Sequence, residues 1–124
     1  MLIDTHIFLW WDRQLRRLSH PLHAAIEDEA NEIYLSAASI WEIAVKRALG
    51  KLTFGRTIVD AVAELGFDIL PVTGMRAEHA GGLPRHHNDP FDRLIIAQAQ
   101  FEGMVLGTQD PVLRPCAVAI LGLG

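Results

Sequence analysis

The sequence predicts an α/β domain built on a central, mostly parallel sheet flanked by helices, and three observations carry that expectation. Short apolar runs rich in strand formers alternate along the chain with segments of roughly ten residues whose apolar positions recur at helical spacing. A parallel sheet needs such crossover helices, because a two-residue turn cannot return the chain to the same edge. The chain has 124 residues, 50% of them hydrophobic, enough for one ordinary core without disulfides or a structural metal. Residues 1–124 are therefore expected to form one domain.

Taken in order, Leu2-Ile3 is a short strand ending at Asp4-Thr5, where a helix cap belongs, and His6 to Arg17 reads as helix. Ser19 and Pro21 signal a second helix, with Leu22, Ala25, Ile26 and Ala30 on one face. Ile33-Tyr34-Leu35 is a strand, Ser36 to Ser39 turns, and a helix follows through Lys46 to a C-terminal stop at Gly50. Ile58, Val59, Val62 and Leu65 give another helix closed by Gly66, before an apolar strand across Phe67 to Val72. Thr73 caps a short helix through about Gly81. Pro90, at a first helical position, opens a helix through Gln100 stopped by Gly103. Met104-Val105-Leu106 is a buried-type strand, Asp110-Pro111 a turn, and Ala117 to Leu121 a last strand.

The single cysteine, Cys116, excludes an internal disulfide, and no Cys/His grouping has zinc spacing. With no signal peptide and no run approaching about 18 apolar residues, a cytoplasmic protein without a membrane partner is expected. Fifteen acids against eleven bases give a net charge of −4, so any grip on nucleic acid must be local. The candidate cations are Arg13, Arg16, Arg17, Lys46, Arg47, Lys51, Arg85 and Arg93.

In parallel α/β sheets the functional cleft lies outside the carboxyl ends of the strands. Four acids meet that condition: Asp4 ends the first strand, Glu42 and Asp92 stand in early turns of helices, and Asp110 follows the Met104–Leu106 strand. Each alone is also explained by an acid offsetting a helix macrodipole. Gathered at one edge, they would repel unless a divalent cation relieved the repulsion. An all-oxygen site of this kind suits Mg²⁺ or Mn²⁺ and phosphodiester hydrolysis. No Walker loop, GxGxxG, GxSxG or HExxH motif offers a rival chemistry.

Four stretches carry a family resemblance: Leu2-Ile3-Asp4-Thr5-His6-Ile7-Phe8-Leu9-Trp10, Leu35-Ser36-Ala37-Ala38-Ser39-Ile40-Trp41-Glu42-Ile43-Ala44-Val45-Lys46, His87 to Ala99 around Asn88-Asp89-Pro90-Phe91-Asp92-Arg93, and Leu106-Gly107-Thr108-Gln109-Asp110. Together they resemble the signature regions of PIN-domain toxins of the VapC type, in the family's order and over almost the whole chain. The resemblance implies an endoribonuclease dependent on Mg²⁺ or Mn²⁺ that cleaves single-stranded or structured RNA, a VapB-like antitoxin partner and a homodimer. It matches Asp4, Glu42 and Asp92 to three core metal-site acids and Asp110 to a fourth, more variable one, all four counted as catalytic. Two departures stand out. Only three residues precede Asp4, and Gly107 occupies a position where a residue able to pack is commoner. Alternative readings are a non-catalytic acidic cleft for a basic peptide, and a PIN nuclease acting in RNA processing or on DNA. A receiver-type regulatory domain also groups acids at strand ends, but its acidic pair after the first strand and its strand-end lysine are not evident.

Around the acids, Thr5, Lys46 and Arg93 are the candidate substrate-binding residues. Thr5 and Ser39 either orient a carboxylate or cap helices, with the cap favoured for Ser39. Lys46 lies one turn beyond Glu42 and either neutralises substrate or pairs with the glutamate. Arg93 pairs with Asp89 or faces RNA, and Asp89 is read first as the cap of the Pro90 helix. His86 and His87 offer phosphate binding or proton transfer, and His6 a packed position. Trp10, Trp11 and Trp41 fit the core or a protein contact better than base stacking.

Overall fold

A computed structural model of the chain describes residues 1–83, 89–113 and 118–123. His86 and His87, like Arg85 and Cys116, lie outside the described residues. Five strands form one sheet: β1 (Leu2–Ile3), β2 (Tyr34–Ser36), β3 (Asp68–Leu70), β4 (Leu106–Gly107) and β5 (Ile120–Leu121). Their order is β3-β2-β1-β4-β5 and every pairing is parallel. From β1 the chain steps outward to β2 and β3, then crosses back to place β4 and β5 on the other side of β1. Strand order therefore reverses between β1 and β4, and that crevice is where an open α/β sheet binds ligands.

Alternation along each strand divides the core in two. Ile3 and Leu35 face a cluster with Ile7 and Phe8 of α1 (Thr5–Arg13), Leu22 of α2 (His20–Glu27), Ile43 of α3 (Ala37–Ala48) and Ile58 of α4 (Ile58–Glu64). Leu2 and Leu106 face the opposite cluster with Ile95, Ile96 and Ala99 of α6 (Pro90–Glu102). α5 (Gly74–Gly81) packs against α6. Gly107 is a packing requirement: a Cβ there would come within 3.1 Å of Leu22, 3.2 Å of Ile3 and 3.2 Å of the Met1 sulfur. A side chain here requires these three side chains to shift by a few tenths of an ångström.

The local signals position most helices as expected. Thr73 caps α5, and Asp89 caps α6 by accepting from the Phe91 and Asp92 amides at 2.8 and 3.3 Å. Gly103 ends α6 at φ +62°, a conformation that favours glycine. Several boundaries differ. The helix expected from His6 to Arg17 ends at Arg13, and a 3₁₀ turn, Leu15–Arg17, follows. β4 falls at Leu106–Gly107 rather than Met104–Leu106, since only there does the backbone pair with both β1 and β5. The cap of α3 is Ser36, whose hydroxyl accepts from the Ala38 amide at 3.0 Å, and not Ser39. Ser19 occupies the cap position of α2 but makes no capping bond, and its hydroxyl is buried without a hydrogen-bond partner among the described residues. No helix among the described residues is long and apolar enough to cross a membrane.

Candidate metal and RNA site

Asp4 sits where β1 gives way to α1 and is 4% exposed. Its Oδ1 caps α1 by accepting from the Ile7 amide at 2.9 Å, and its Oδ2 accepts from the Thr108 hydroxyl. Thr108, fully buried after β4, also accepts from the Asp110 amide at 3.1 Å through the same oxygen. One hydroxyl thus joins the acid after β1 to the loop of the acid after β4, across the switch point. Burial raises the Asp4 pKa above its ordinary value; the Thr108 and Ile7 bonds and His6 oppose that rise, and the charge of Asp110 adds to it. Asp4 and Asp110 line one cleft of about 420 Å³ with His6, Trp10, Arg17 and Gln109.

Glu42 approaches from α3. It is 4% exposed, and its position one turn into the helix turns it inward beside Ser39. Thr5 Oγ1 donates to Glu42 Oε1 at 2.7 Å and lies 2.9 Å from Ser39 Oγ. A carboxylate only accepts, so the single Thr5 proton goes to Glu42, and Ser39 supplies the proton of the second bond. Thr5 and Ser39 therefore orient the glutamate rather than cap helices. Lys46 completes the arrangement by donating from Nζ to Glu42 Oε2 at 2.7 Å, the pairing alternative for this residue.

Asp92 is half-buried in the first turn of α6. Arg93 Nε and Nη2 donate to the carbonyls of Ala80, Gly81 and Leu83 at 3.0–3.3 Å, which ties α6 to the C-terminal end of α5 and the residues after it. Intrahelical donors run out in the last turn of a helix, and a cation at a helix C-terminus also suits its dipole. Among the described residues, no three acidic or histidine side chains are gathered closely enough to hold a metal ion. The structure brings Asp4 and Asp110 to one cleft and links Glu42 to it through neighbouring Thr5.

Trp10 and Trp11 pack partly against the core, whereas Trp41 is 61% exposed with its ring edge on Phe91. Thr108 and Gln109 are the residues that sequence reasoning missed. Thr108, two positions before Asp110, has the spacing of a hydroxyl that turns back onto a following amide, whereas Gln109 acts through partners some 90 positions away.

The five-stranded parallel fold is shared with known proteins. The PIN domain family model matches residues 1–117. Ribonuclease VapC22 of Mycobacterium tuberculosis (strain ATCC 25618 / H37Rv) is 33% identical over 122 residues, covering 92% of this chain and 89% of that protein. A toxin-antitoxin complex from Klebsiella pneumoniae contains a chain of similar fold, with TM-score 0.66, 18% identity, and coverage of 97% of this chain and 94% of that one. A chain of VapBC2 from Rickettsia felis, solved bound to a DNA fragment from their promoter, has TM-score 0.61 and 16% identity, with coverage of 97% and 96%. With the family model matching residues 1–117 and a ribonuclease 33% identical over most of both chains, this chain belongs to the PIN-domain family.

Proposed function

We propose that the chain is the toxin of a VapBC-type pair, an endoribonuclease that hydrolyses RNA phosphodiesters with a divalent cation held at the β1–β4 crevice. The observation that carries this reading is the buried Asp4, joined through Thr108 to the loop of Asp110 at the strand-order reversal. The donor set fits a hard cation. Every side chain concerned offers oxygen, and Mg²⁺ commonly takes only one or two carboxylates, completing its shell with water and substrate phosphate. Asp4 and Asp110 are the first candidates to hold it, with Glu42 and Asp92 the further acids of the site. When bound, such an ion supplies Lewis-acid activation of phosphate and a more acidic attacking water.

The chain's own residues set the stage for that chemistry. The Thr108 hydroxyl and the Ile7 amide each hold one oxygen of Asp4, which together fix the orientation of its carboxylate at the cleft. Thr5 and Ser39 hold Glu42 in one orientation, and Lys46 keeps its charge balanced until substrate arrives. Attack by water rather than by the 2′-hydroxyl gives 5′-phosphate and 3′-hydroxyl ends. A VapB-like antitoxin, a homodimer and a cytoplasmic site of action belong to the same reading, supported by the sequence resemblance and by relatives whose structures are toxin-antitoxin complexes.

The test is cleavage of end-labelled single-stranded RNA by purified chain in Mn²⁺ or Mg²⁺ and in EDTA, with the product ends identified. Metal-dependent cleavage leaving 5′-phosphates supports the reading. Folded, antitoxin-free chain that leaves RNA intact but binds a basic peptide in the cleft would replace it with the binding-module alternative.

A further inference from the structure

Two clefts share Arg17. One is the cleft of Asp4 and Asp110; the other, of about 580 Å³, runs along the end of α1 and the following 3₁₀ turn, where Asp12, Arg13, Gln14, Leu15 and Arg16 line it, the Asp12 carboxylate being paired with Arg56 and Arg13. Three cations thus fall within residues 13–17 of a chain whose net charge is −4. Arg13 is a fixed charge, since its Nη1 donates to the Thr53 carbonyl at 2.7 Å. Arg16 and Arg17 are exposed. The Arg17 guanidinium lies 4.6 Å from the centroid of the Trp10 ring, and the His6 ring is 5.9 Å from the same indole.

This wall is tied to the acids. Gln109, adjacent to Asp110, donates from Nε2 to the Arg17 carbonyl at 3.0 Å and accepts at Oε1 from the Ser19 amide at 2.7 Å. A side chain beside the catalytic loop thereby sets the position of the 3₁₀ turn, making Gln109 a positioning residue.

Resting on the nuclease reading, we infer that the two clefts form one track for single-stranded RNA leading into the acidic site. Arg16 and Arg17 bind backbone phosphates flanking the scissile bond, and the Trp10–Arg17 pair presents stacking surface to a neighbouring base. The Trp10–Arg17 pair decides for RNA over an acidic peptide. Both polymers are drawn to the arginines, but the pair offers a flat face on which a base stacks and an acidic side chain does not.

The experiment measures anisotropy of a labelled single-stranded RNA against full chain in EDTA, over a range of salt, with Mn²⁺-dependent cleavage followed in parallel. Arg16→Gln with Arg17→Gln is expected to weaken binding about tenfold and to flatten the salt slope by roughly 0.7 for each phosphate that is no longer neutralised. Trp10→Leu weakens binding roughly fivefold or more and leaves that slope unchanged. In cleavage, the arginine pair raises KM more than it lowers kcat. Lys51→Gln with Arg76→Gln, which removes the same two charges at exposed or partly exposed residues lining neither cleft, controls for net charge. Arg16 and Arg17 are exposed, so their replacement leaves the core intact whatever Trp10→Leu does to folding. Arg16 and Arg17 variants that bind like the Lys51 and Arg76 control, a parent chain that binds no RNA, or variants that lose an Asp/Glu-rich peptide but keep RNA would each overturn the track. Absence of cleavage by the parent would instead remove the nuclease reading beneath it.

Discussion

Two buried polar clusters stand at the carboxyl edge of the same sheet, and they differ in charge. At β2, Ser36 donates to Gln98 Oε1, while Gln98 Nε2 donates to the Pro71 carbonyl at 3.0 Å and approaches that of Leu70 at 3.4 Å. This neutral group links β2, α6 and the end of β3 with its polar atoms matched. At β1, Asp4 is equally buried but ionisable, near the charge of Asp110 and with a raised pKa. The first arrangement is what a fold needs to hold its layers together. The second costs stability unless something positive enters, which is the burden the proposed cation would relieve.

Substitutions should separate the two. The largest effect expected is on activity: Asp4→Asn lowers RNA cleavage about 10³-fold or more, since it removes a carboxylate whose contribution with a cation is worth several kcal/mol. Asparagine still caps α1, so circular dichroism should show the fold intact. Gln98→Leu does the opposite. It strands the Ser36 hydroxyl and the Pro71 carbonyl and costs about 1–3 kcal/mol in denaturant unfolding, with cleavage by the folded fraction little changed.

Cation and pH sharpen the contrast. Mn²⁺ at 10 to 100 times its Kd should stabilise the chain by about 1.4–2.7 kcal/mol, and Asp4→Asn should abolish that gain while Gln98→Leu keeps it. Because the folded state raises the Asp4 pKa, it binds more protons than the unfolded chain between the ordinary and the raised value. Stability therefore falls as pH rises through that window and the loss persists above it. In EDTA, Asp4→Asn should melt above the parent at pH 7, and the difference should close below about pH 4. The smallest effect belongs to Lys46→Gln. Its ion pair with Glu42 is half-exposed at the lysine, so thermal unfolding should register less than about 1 kcal/mol.

What was legible in the sequence follows the range of the interactions involved. α6 could be delimited because Asp89, Pro90 and Gly103 act within a few residues of themselves. Asp4 and Asp110 could be expected at one cleft because strand ends converge in any parallel sheet. Ser39 looked like the cap in place of Ser36, three positions away in a run of small residues; Gln98, 62 positions from Ser36, and Thr5 give each serine its task. Arg93 looked available because the α5 carbonyls that occupy it come from another part of the chain. Gln109 and Arg17 gave no local sign of their link for the same reason.

The central claim, that the β1–β4 crevice is a divalent-cation site, is tested most directly by titrating Mn²⁺ into the parent chain, Asp4→Asn and Gln98→Leu, with binding read by calorimetry or by the loss of free-ion signal in electron paramagnetic resonance. Binding is predicted in the parent and in folded Gln98→Leu, with affinity at least about 100-fold weaker in Asp4→Asn, the equivalent of some 2.7 kcal/mol. Equal affinity in the parent and Asp4→Asn would contradict the claim.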